Sequence, residues 1–334
     1  MKFDFVIGNP PYQDDRQGES NTALPVYHSF MEVAFEVGNA VELITPARFL
    51  FNAGRTPKSW NQKMLSDDHF KVLEYEDNAS KIFANTDIKG GVVISYRDIS
   101  KSFGAIKTFT ISVELNDILK KILFTLDANK TLANIAFVAS KFNTETLFSD
   151  YREYQGHERR MSSNVLGFKC FHKAKNDNDI LIYGILNGKR TPMYIEKKYV
   201  DTQDTSISLF KIITPKADGN GKFGESLTNP EILEPNSGFT HTFLGIGGFK
   251  TRYEAESCLK YMKTKFARTL LGVLKITQDL NADKWKYVPL QDFTPASDID
   301  WSQSMANIDK QLYKKYNLSK EEIDFIERNV KEME

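Results

Sequence analysis

Phe3-Asp4-Phe5-Val6-Ile7-Gly8-Asn9-Pro10-Pro11-Tyr12-Gln13 is the stretch on which the reading of this 334-residue chain turns. Phe3 to Ile7 is a short apolar run, dense enough to predict a buried strand rather than a half-exposed one. The run stops at Gly8 and two prolines follow. Neither proline can donate to a ladder, so the strand must end there and the chain must turn. An asparagine, two rigid carbonyl-bearing residues and an aromatic ring then stand at the carboxyl end of a strand. In open α/β sheets that edge is where ligands bind.

Such a site suits methylation of a conjugated amino group. The lone pair of an exocyclic amine on a heterocycle, or of an amide, is delocalised and a poor nucleophile. Two acceptors that receive both N–H bonds pull the nitrogen towards tetrahedral geometry and free the lone pair. The side-chain oxygen of Asn9 and the carbonyl of Pro10 can serve, and Pro11 stiffens the turn so that the acceptors are preorganised. Tyr12 can stack on the flat face of a base swung out of its helix. As local structure alone, the same residues are a strand followed by a Pro-Pro turn.

Composition narrows the class. The chain is long enough for two domains with sizeable cores. Lys plus Arg equals Asp plus Glu, at 44 each, so any basic surface must be local. Cys170 and Cys258 lie far apart without metal-ligand spacing, which predicts no metal site and no disulfide framework and suits a reducing cytoplasm. No basic-then-apolar leader and no run of 18 apolar residues points to a membrane.

After the opening stretch, Gln13 to Asn21 is polar and reads as a loop. Residues 24–37 carry Val26, Phe30, Val33, Ala34 and Val37 at helical spacing and end at Gly38-Asn39, a stop signal. Ala40 to Thr45 is a second buried strand closed by Pro46. Arg48 to Leu65 reads as a loop and a helix with Trp60 and Met64 inside. Phe70 to Tyr75, Gly90 to Tyr96 and Ile106 to Ile111 read as further strands. This alternation is the second half of a doubly wound, Rossmann-like sheet.

Asn9-Pro10-Pro11-Tyr12 after a hydrophobic strand resembles the catalytic motif of amino-group methyltransferases that use S-adenosylmethionine. Glu42-Leu43-Ile44-Thr45-Pro46-Ala47-Arg48-Phe49-Leu50, Ser80-Lys81-Ile82-Phe83 and Asp87-Ile88-Lys89-Gly90-Gly91-Val92 extend the likeness. The family resembled is the adenine-specific DNA methyltransferases of type II restriction–modification systems. Their gamma-class order is cofactor half, Asn-Pro-Pro-Tyr half, then target-recognition domain. The resemblance implies that Asn9, Pro10, Pro11 and Tyr12 are catalytic. It makes Phe83 a second aromatic wall for the extruded adenine, where a core Phe at a strand edge is the plainer reading. It also implies that the segments holding S-adenosylmethionine lie ahead of residue 1. The chain is then an incomplete enzyme, inactive alone, completed by an upstream chain or segment.

The rest of the chain divides on texture. Residues 1–112 are read as the catalytic half and 113–155 as a connecting helical segment. Residues 156–334 are read as a mixed, β-rich DNA target-recognition domain with C-terminal helices. Residues 156–222 hold twelve Lys or Arg against seven Asp or Glu, so this segment is basic. Lys189, Arg190, Lys197, Lys198, Lys211 and Lys216 lie among Tyr183, Tyr194, Tyr199 and Phe210, a pattern that fits a grip on the phosphates of double-stranded DNA. A solvated face with ordinary core aromatics gives the same pattern. Phe243-Leu244-Gly245-Ile246-Gly247-Gly248-Phe249 resembles the glycine loop of an S-adenosylmethionine site. No acidic residue follows where a ribose would need one, and the basic stretch 253–274 instead suggests a turn feeding a DNA-facing helix. Ser319-Lys320-Glu321-Glu322 predicts a capping box. Two alternatives stay open: a methyltransferase acting on a protein glutamine or an RNA guanine, and a non-catalytic DNA-binding fragment.

Overall fold

A computed structural model describes residues 2–14, 24–203 and 205–333. Most of the polar stretch read as a loop, from residue 15 on, lies outside the described residues. The fold is mixed α/β, with three four-stranded sheets and eight α-helices among the described residues. It divides into two compact units, Met1–Asn116 and Asp117–Glu334.

Unit 1 runs β1 (Phe3–Gly8), α1 (Tyr27–Val37), β2 (Gly38–Pro46), α2 (Lys58–Ser66), β3 (Phe70–Glu76) and β4 (Val92–Asp98). The sheet order is β1-β2-β4-β3. β1 and β2 are parallel, while β4 is antiparallel to both β2 and β3, so β1, β2 and β3 all point the same way. Parallel neighbours need a crossover, and α1 supplies it. It buries Tyr27, Met31 and Ala34. At Gly38 the chain passes directly from helix to strand, where a Cβ would sit 2.7 Å from Val41 and 2.9 Å from Val6.

Two expectations fail in this unit. β1 is a strand but not a buried one: Phe3, Phe5 and Ile7, alternate residues on one face, are 66%, 72% and 78% exposed. Among the described residues it lies at the sheet edge with β2 as its one neighbour, and the face shared by Phe3, Phe5 and Ile7 is uncovered. Residues 106–111 form no strand; Lys107 there has a φ of 59°, which breaks extended backbone.

α3 (Val113–Thr125) follows, with β5 (Ala136–Val138), α4 (Thr144–Asp150) and β6 (Phe171–His172) after it. Next come β7 (Asp179–Leu186), β8 (Lys189–Glu196), β9 (Phe210–Pro215), β10 (Glu231–Leu233), β11 (Ser237–Phe239) and β12 (Phe243–Phe249). The chain closes with α5 (Arg252–Lys263), α6 (Lys265–Gly272), α7 (Met305–Lys315) and α8 (Lys320–Asn329). One sheet of unit 2 has the order β10-β9-β12-β5 and the other β11-β7-β8-β6. β7 and β8 form a hairpin through Asn187-Gly188, both at positive φ (51° and 74°), as a two-residue turn requires. Phe142, Met161, Ile180, Ile182 and Ile195 centre one core, with Ile213, Phe239 and Phe243 in another. The capping box at Ser319 and Glu322 forms as expected.

The glycine-rich stretch 243–249 is neither a turn nor a cofactor loop. It is β12, paired on both sides with β9 and β5. A Cβ on Gly245 would lie 2.5 Å from the Phe239 ring and 2.7 Å from the Phe137 ring, so the glycine makes room for two aromatic side chains. We expect Gly245→Ala to cost about 1–3 kcal/mol by overpacking. A lower denaturation midpoint in urea with an unchanged m-value tests this; an unchanged midpoint would refute the packing role.

Candidate active site

Three parallel strands place their carboxyl ends on one edge of unit 1. Asn9–Tyr12 follows β1, a 3-10 turn at Ala47–Phe51 follows β2, and the segment holding Phe83 follows β3. Although β1 and β3 are at opposite sides of the sheet, the segments leaving them converge. The rings of Tyr12 and Phe83 meet edge to face, with centroids 6.3 Å apart and planes at 71°. The structure therefore brings together two of the residues singled out from the sequence.

Each ring is held by its backbone. The Tyr12 carbonyl accepts from the Val26 N–H at 3.2 Å and the Asp14 N–H donates to Leu24 at 2.9 Å, pinning the turn to the segment that enters α1. The Asn78 side chain accepts from the Ser80 N–H at 3.2 Å and opens the short turn Ala79–Lys81. Phe83 N–H then donates to the Ala79 carbonyl at 2.8 Å. Asn9 and Pro11 are exposed; Pro10, Tyr12 and Phe83 are half-buried. The Tyr12 hydroxyl is shielded from solvent without a hydrogen-bond partner among the described residues, and burial pushes its pKa up to about 12. A neutral ring suits stacking more than proton transfer.

Arg48 and Lys89 brace this edge. The Arg48 guanidinium donates to the Lys89 carbonyl, and the Lys89 ammonium pairs with Asp87 at 2.8 Å. Gly91, at a φ of +75°, has no room for a Cβ, which would fall 2.4 Å from the Glu76 carbonyl oxygen. Its own carbonyl accepts from the Ala47 N–H at 3.0 Å. Gly91 thereby threads the chain between the ends of β2 and β3.

The six basic residues of unit 2 do not form one surface. Lys211 is fully buried, with its ammonium on the Ser237 carbonyl at 2.9 Å, and is withdrawn from any contact with DNA. Arg190 pairs with Glu231 at 2.8 Å, donates to the Asn229 carbonyl at 3.2 Å and stacks on Phe243 at 5.0 Å. Lys198 pairs with Asp150 at 3.1 Å and lies over the Tyr199 ring at 4.7 Å. Lys189 is exposed at the start of β8 and Lys197 just past its end, roughly 26 Å apart at the rise of an extended strand. Lys216 donates to His241 Nε2 at 2.8 Å.

The basic stretch after β12 is likewise not a free face. It is two helices broken at Thr264, and its cations are turned inward. Lys260 donates to the Trp301 carbonyl at 2.7 Å. Arg268 is buried against the carbonyls of Lys263 at 3.0 Å and Gly224 at 3.3 Å. Lys275 is buried on the Asp218 carbonyl at 2.7 Å and on Glu225. Sequence reasoning missed Arg160 and His241, which join Lys216; no spacing in the sequence links the three. Among the described residues no group of three or more His, Cys, Asp or Glu is placed to hold a metal, and no helix is long and apolar enough to cross a membrane. Cys170 and Cys258 are free and buried.

Unit 1 thus collects a polar turn and two aromatic rings at the carboxyl edge of its sheet, the edge at which open α/β sheets bind ligands. Comparison with known proteins gives it a more particular likeness. Residues 1–83 match the sequence profile of the Eco57I restriction-modification methylase family. A stretch of 95 residues is 27% identical to an uncharacterized adenine-specific methylase of Mycoplasma pneumoniae, covering 28% of this chain and 22% of that protein. The chain thus spans under a quarter of that relative's length. The solved structure of the type IIG restriction endonuclease BpuSI is similar over 92% of this chain and 48% of its own, at 11% identity and a TM-score of 0.33, too slight a likeness to carry an argument. The resemblance to restriction–modification methylases read from the sequence is borne out, and the family match falls on the unit that holds Asn9 to Phe83.

The two kinds of basic residue separate on stability. Arg190→Met removes charge-assisted hydrogen bonds from a half-buried site and is expected to cost about 1–2 kcal/mol, less than a fully buried pair because solvent screens it. Lys189→Gln and Lys197→Gln are expected to change stability by less than about 0.5 kcal/mol. Urea melts of the three variants check this; equal costs would show that Arg190 is not a structural anchor.

Proposed function

We propose that this chain is the catalytic-motif and target-recognition portion of a DNA adenine N6-methyltransferase of a restriction–modification system, acting in the cytoplasm. The observation that carries the reading is the meeting of Tyr12 and Phe83 beside Asn9, inside the region that matches the methylase family. In this reading an adenine turned out of the duplex lies against the two rings. The Asn9 side-chain oxygen and the Pro10 carbonyl accept the two N–H bonds of its exocyclic amine. Their pull localises the lone pair on nitrogen as the new bond forms, so they act mainly in the transition state. Pro10 and Pro11 hold the acceptors without reorganisation.

The methyl donor implied by the family is S-adenosylmethionine. The stretch of this chain most like its glycine cradle, residues 243–249, does not fit it, because that backbone is paired on both edges and Gly245 faces two phenyl rings. We therefore assign no residue of this chain to the donor and derive no step through it. The exposed face of β1, with Phe3, Phe5 and Ile7, supports pairing with a further α/β segment, of the same protein or another chain, that carries the donor. Unit 2, Asp117–Glu334, is assigned to duplex DNA.

Two measurements test this. Calorimetry should detect at most very weak binding of S-adenosylmethionine to the 334-residue chain by itself. Tight binding would refute the assignment of the donor to another segment. In the methylation-competent assembly, Asn9→Ala should abolish methyl transfer to duplex DNA and leave DNA affinity nearly intact. Tyr12→Ala should weaken capture of the base by about 1–3 kcal/mol, whereas Tyr12→Phe should not, since the hydroxyl has no partner to lose. Full turnover by Asn9→Ala would remove the catalytic reading.

A further inference from the structure

Arg160, Lys216 and His241 converge at one point of unit 2. Lys216 Nζ lies 2.8 Å and Arg160 Nη1 3.1 Å from the same His241 nitrogen, Nε2. Both partners are donors only, so Nε2 must be the unprotonated, accepting nitrogen. One lone pair cannot satisfy two cations. Among the described residues, neither Arg160 nor Lys216 has a carboxylate within ion-pair distance. Arg190, Lys198, Lys265 and Lys275, by contrast, each have an acidic partner.

The convergence is built by the backbone. Lys216 N–H donates to the Thr242 carbonyl at 3.0 Å, and its carbonyl accepts from Leu280 at 2.7 Å. His241 N–H donates to the Met161 carbonyl at 2.8 Å, and Arg160 is bridged to Lys141. Lys216 and His241 are half-buried while Arg160 is exposed, so the point is reached from solvent. Two positive charges and a third, protonatable group are held around one position with no carboxylate in ion-pair contact, the Glu158 charge acting on His241 only from further off, and this arrangement suits an external anion.

We propose that Arg160, Lys216 and His241 bind a backbone phosphate of duplex DNA. This rests on the reading of unit 2 as DNA-binding and names the contact by which it grips. It moves the main phosphate contact from the dispersed lysines of β8 to a preformed triad.

The arrangement carries its own signature. In the free protein burial holds the His241 pKa below its ordinary value, as do the charges of Lys216 and Arg160; Glu158 opposes them. Burial, with the charge of Arg160, likewise lowers that of Lys216. A phosphate at the convergence point reverses the balance: the cations turn to its oxygens, and Nε2 takes up a proton and donates to it. The bound state then holds one more proton between the free and bound pKa values of His241. Affinity must rise as pH falls through that window.

The test uses the full chain and duplex DNA, titrated at several salt concentrations from about pH 8 to pH 5.5, the range of histidine titration. The Arg160→Gln, Lys216→Gln double variant should bind on the order of 10-fold more weakly, with a salt slope shallower by about 1. Lys216→Arg should retain most of the affinity. His241→Gln should bind without the rise at low pH. Wild-type binding with slopes and pH dependence unchanged in these variants overturns the triad and leaves the DNA reading standing. Failure of the wild-type chain to bind DNA overturns both. Should a variant not fold, the His241 imidazole resonance of the wild-type protein is followed during titration with inorganic phosphate. A shift with proton uptake supports the triad; an immobile resonance overturns it. Phosphate binding without DNA binding overturns the assignment to DNA.

Discussion

The parallel pairing of β1 with β2 is the constraint on which unit 1 depends. Parallel neighbours cannot be joined by a tight turn, so α1 must cross one face of the sheet to connect them. The same geometry puts both carboxyl ends on one edge. Pro10 and Pro46 then end the two strands at that edge, because neither can donate to a continuing ladder. β3, brought parallel by the antiparallel β4 between it and β2, adds a third strand end there. The contact of Tyr12 with Phe83 follows from that shared polarity, although 71 residues separate the rings in sequence.

Unit 2 is organised by a different requirement, the satisfaction of cations drawn into its interior. Lys211, Arg268 and Lys275 are all buried, and each spends its donors on main-chain carbonyls or on Glu225. An ammonium taken out of water must find such partners or lose its charge. The several donors of one ammonium or guanidinium can tie down chain that carries no regular structure. Lys275 does so for Asp218 and Glu225, and Arg268 for Gly224 and Glu225. Part of what reads as a basic DNA-facing composition is therefore internal scaffolding.

How much was legible follows from these two requirements. In unit 1 the elements were read nearly as they stand, since apolar periodicity and strand-ending prolines act locally: α1, β2, β3 and β4 all lie where expected. The direction of β4 and the exposure of β1 depend on which strands neighbour them, which no local pattern encodes. The Asn-Gly turn between β7 and β8, by contrast, is a local hairpin signal that the sequence does carry. Phe243–Phe249 was misread because glycines that admit a cofactor and glycines that admit a phenylalanine look alike in sequence. Charge was the least legible property. Lys211 and Lys189 are the same residue type in the same basic segment, yet one is buried on Ser237 and the other is exposed.

Chemistry and assembly meet on one strand. The alternation of β1 sends Val6 towards α1 and β2, and leaves Phe3, Phe5 and Ile7 on the uncovered face. Full burial of such side chains is worth about 1.5–3 kcal/mol each. The edge is blunted by a single charge, Asp4, where protected edges use several charges, prolines or bulges. The free face of β1 thus favours an added layer or strand. The next residues along the same strand are Gly8 and Asn9. Whatever covers Phe3, Phe5 and Ile7 is held beside the Asn9 amide by the rigidity of the strand itself. In the proposed methyltransferase, completing the sheet and approaching the amine acceptors are then one event, and loss of the first would disable the second with every residue of Asn9–Tyr12 still in place.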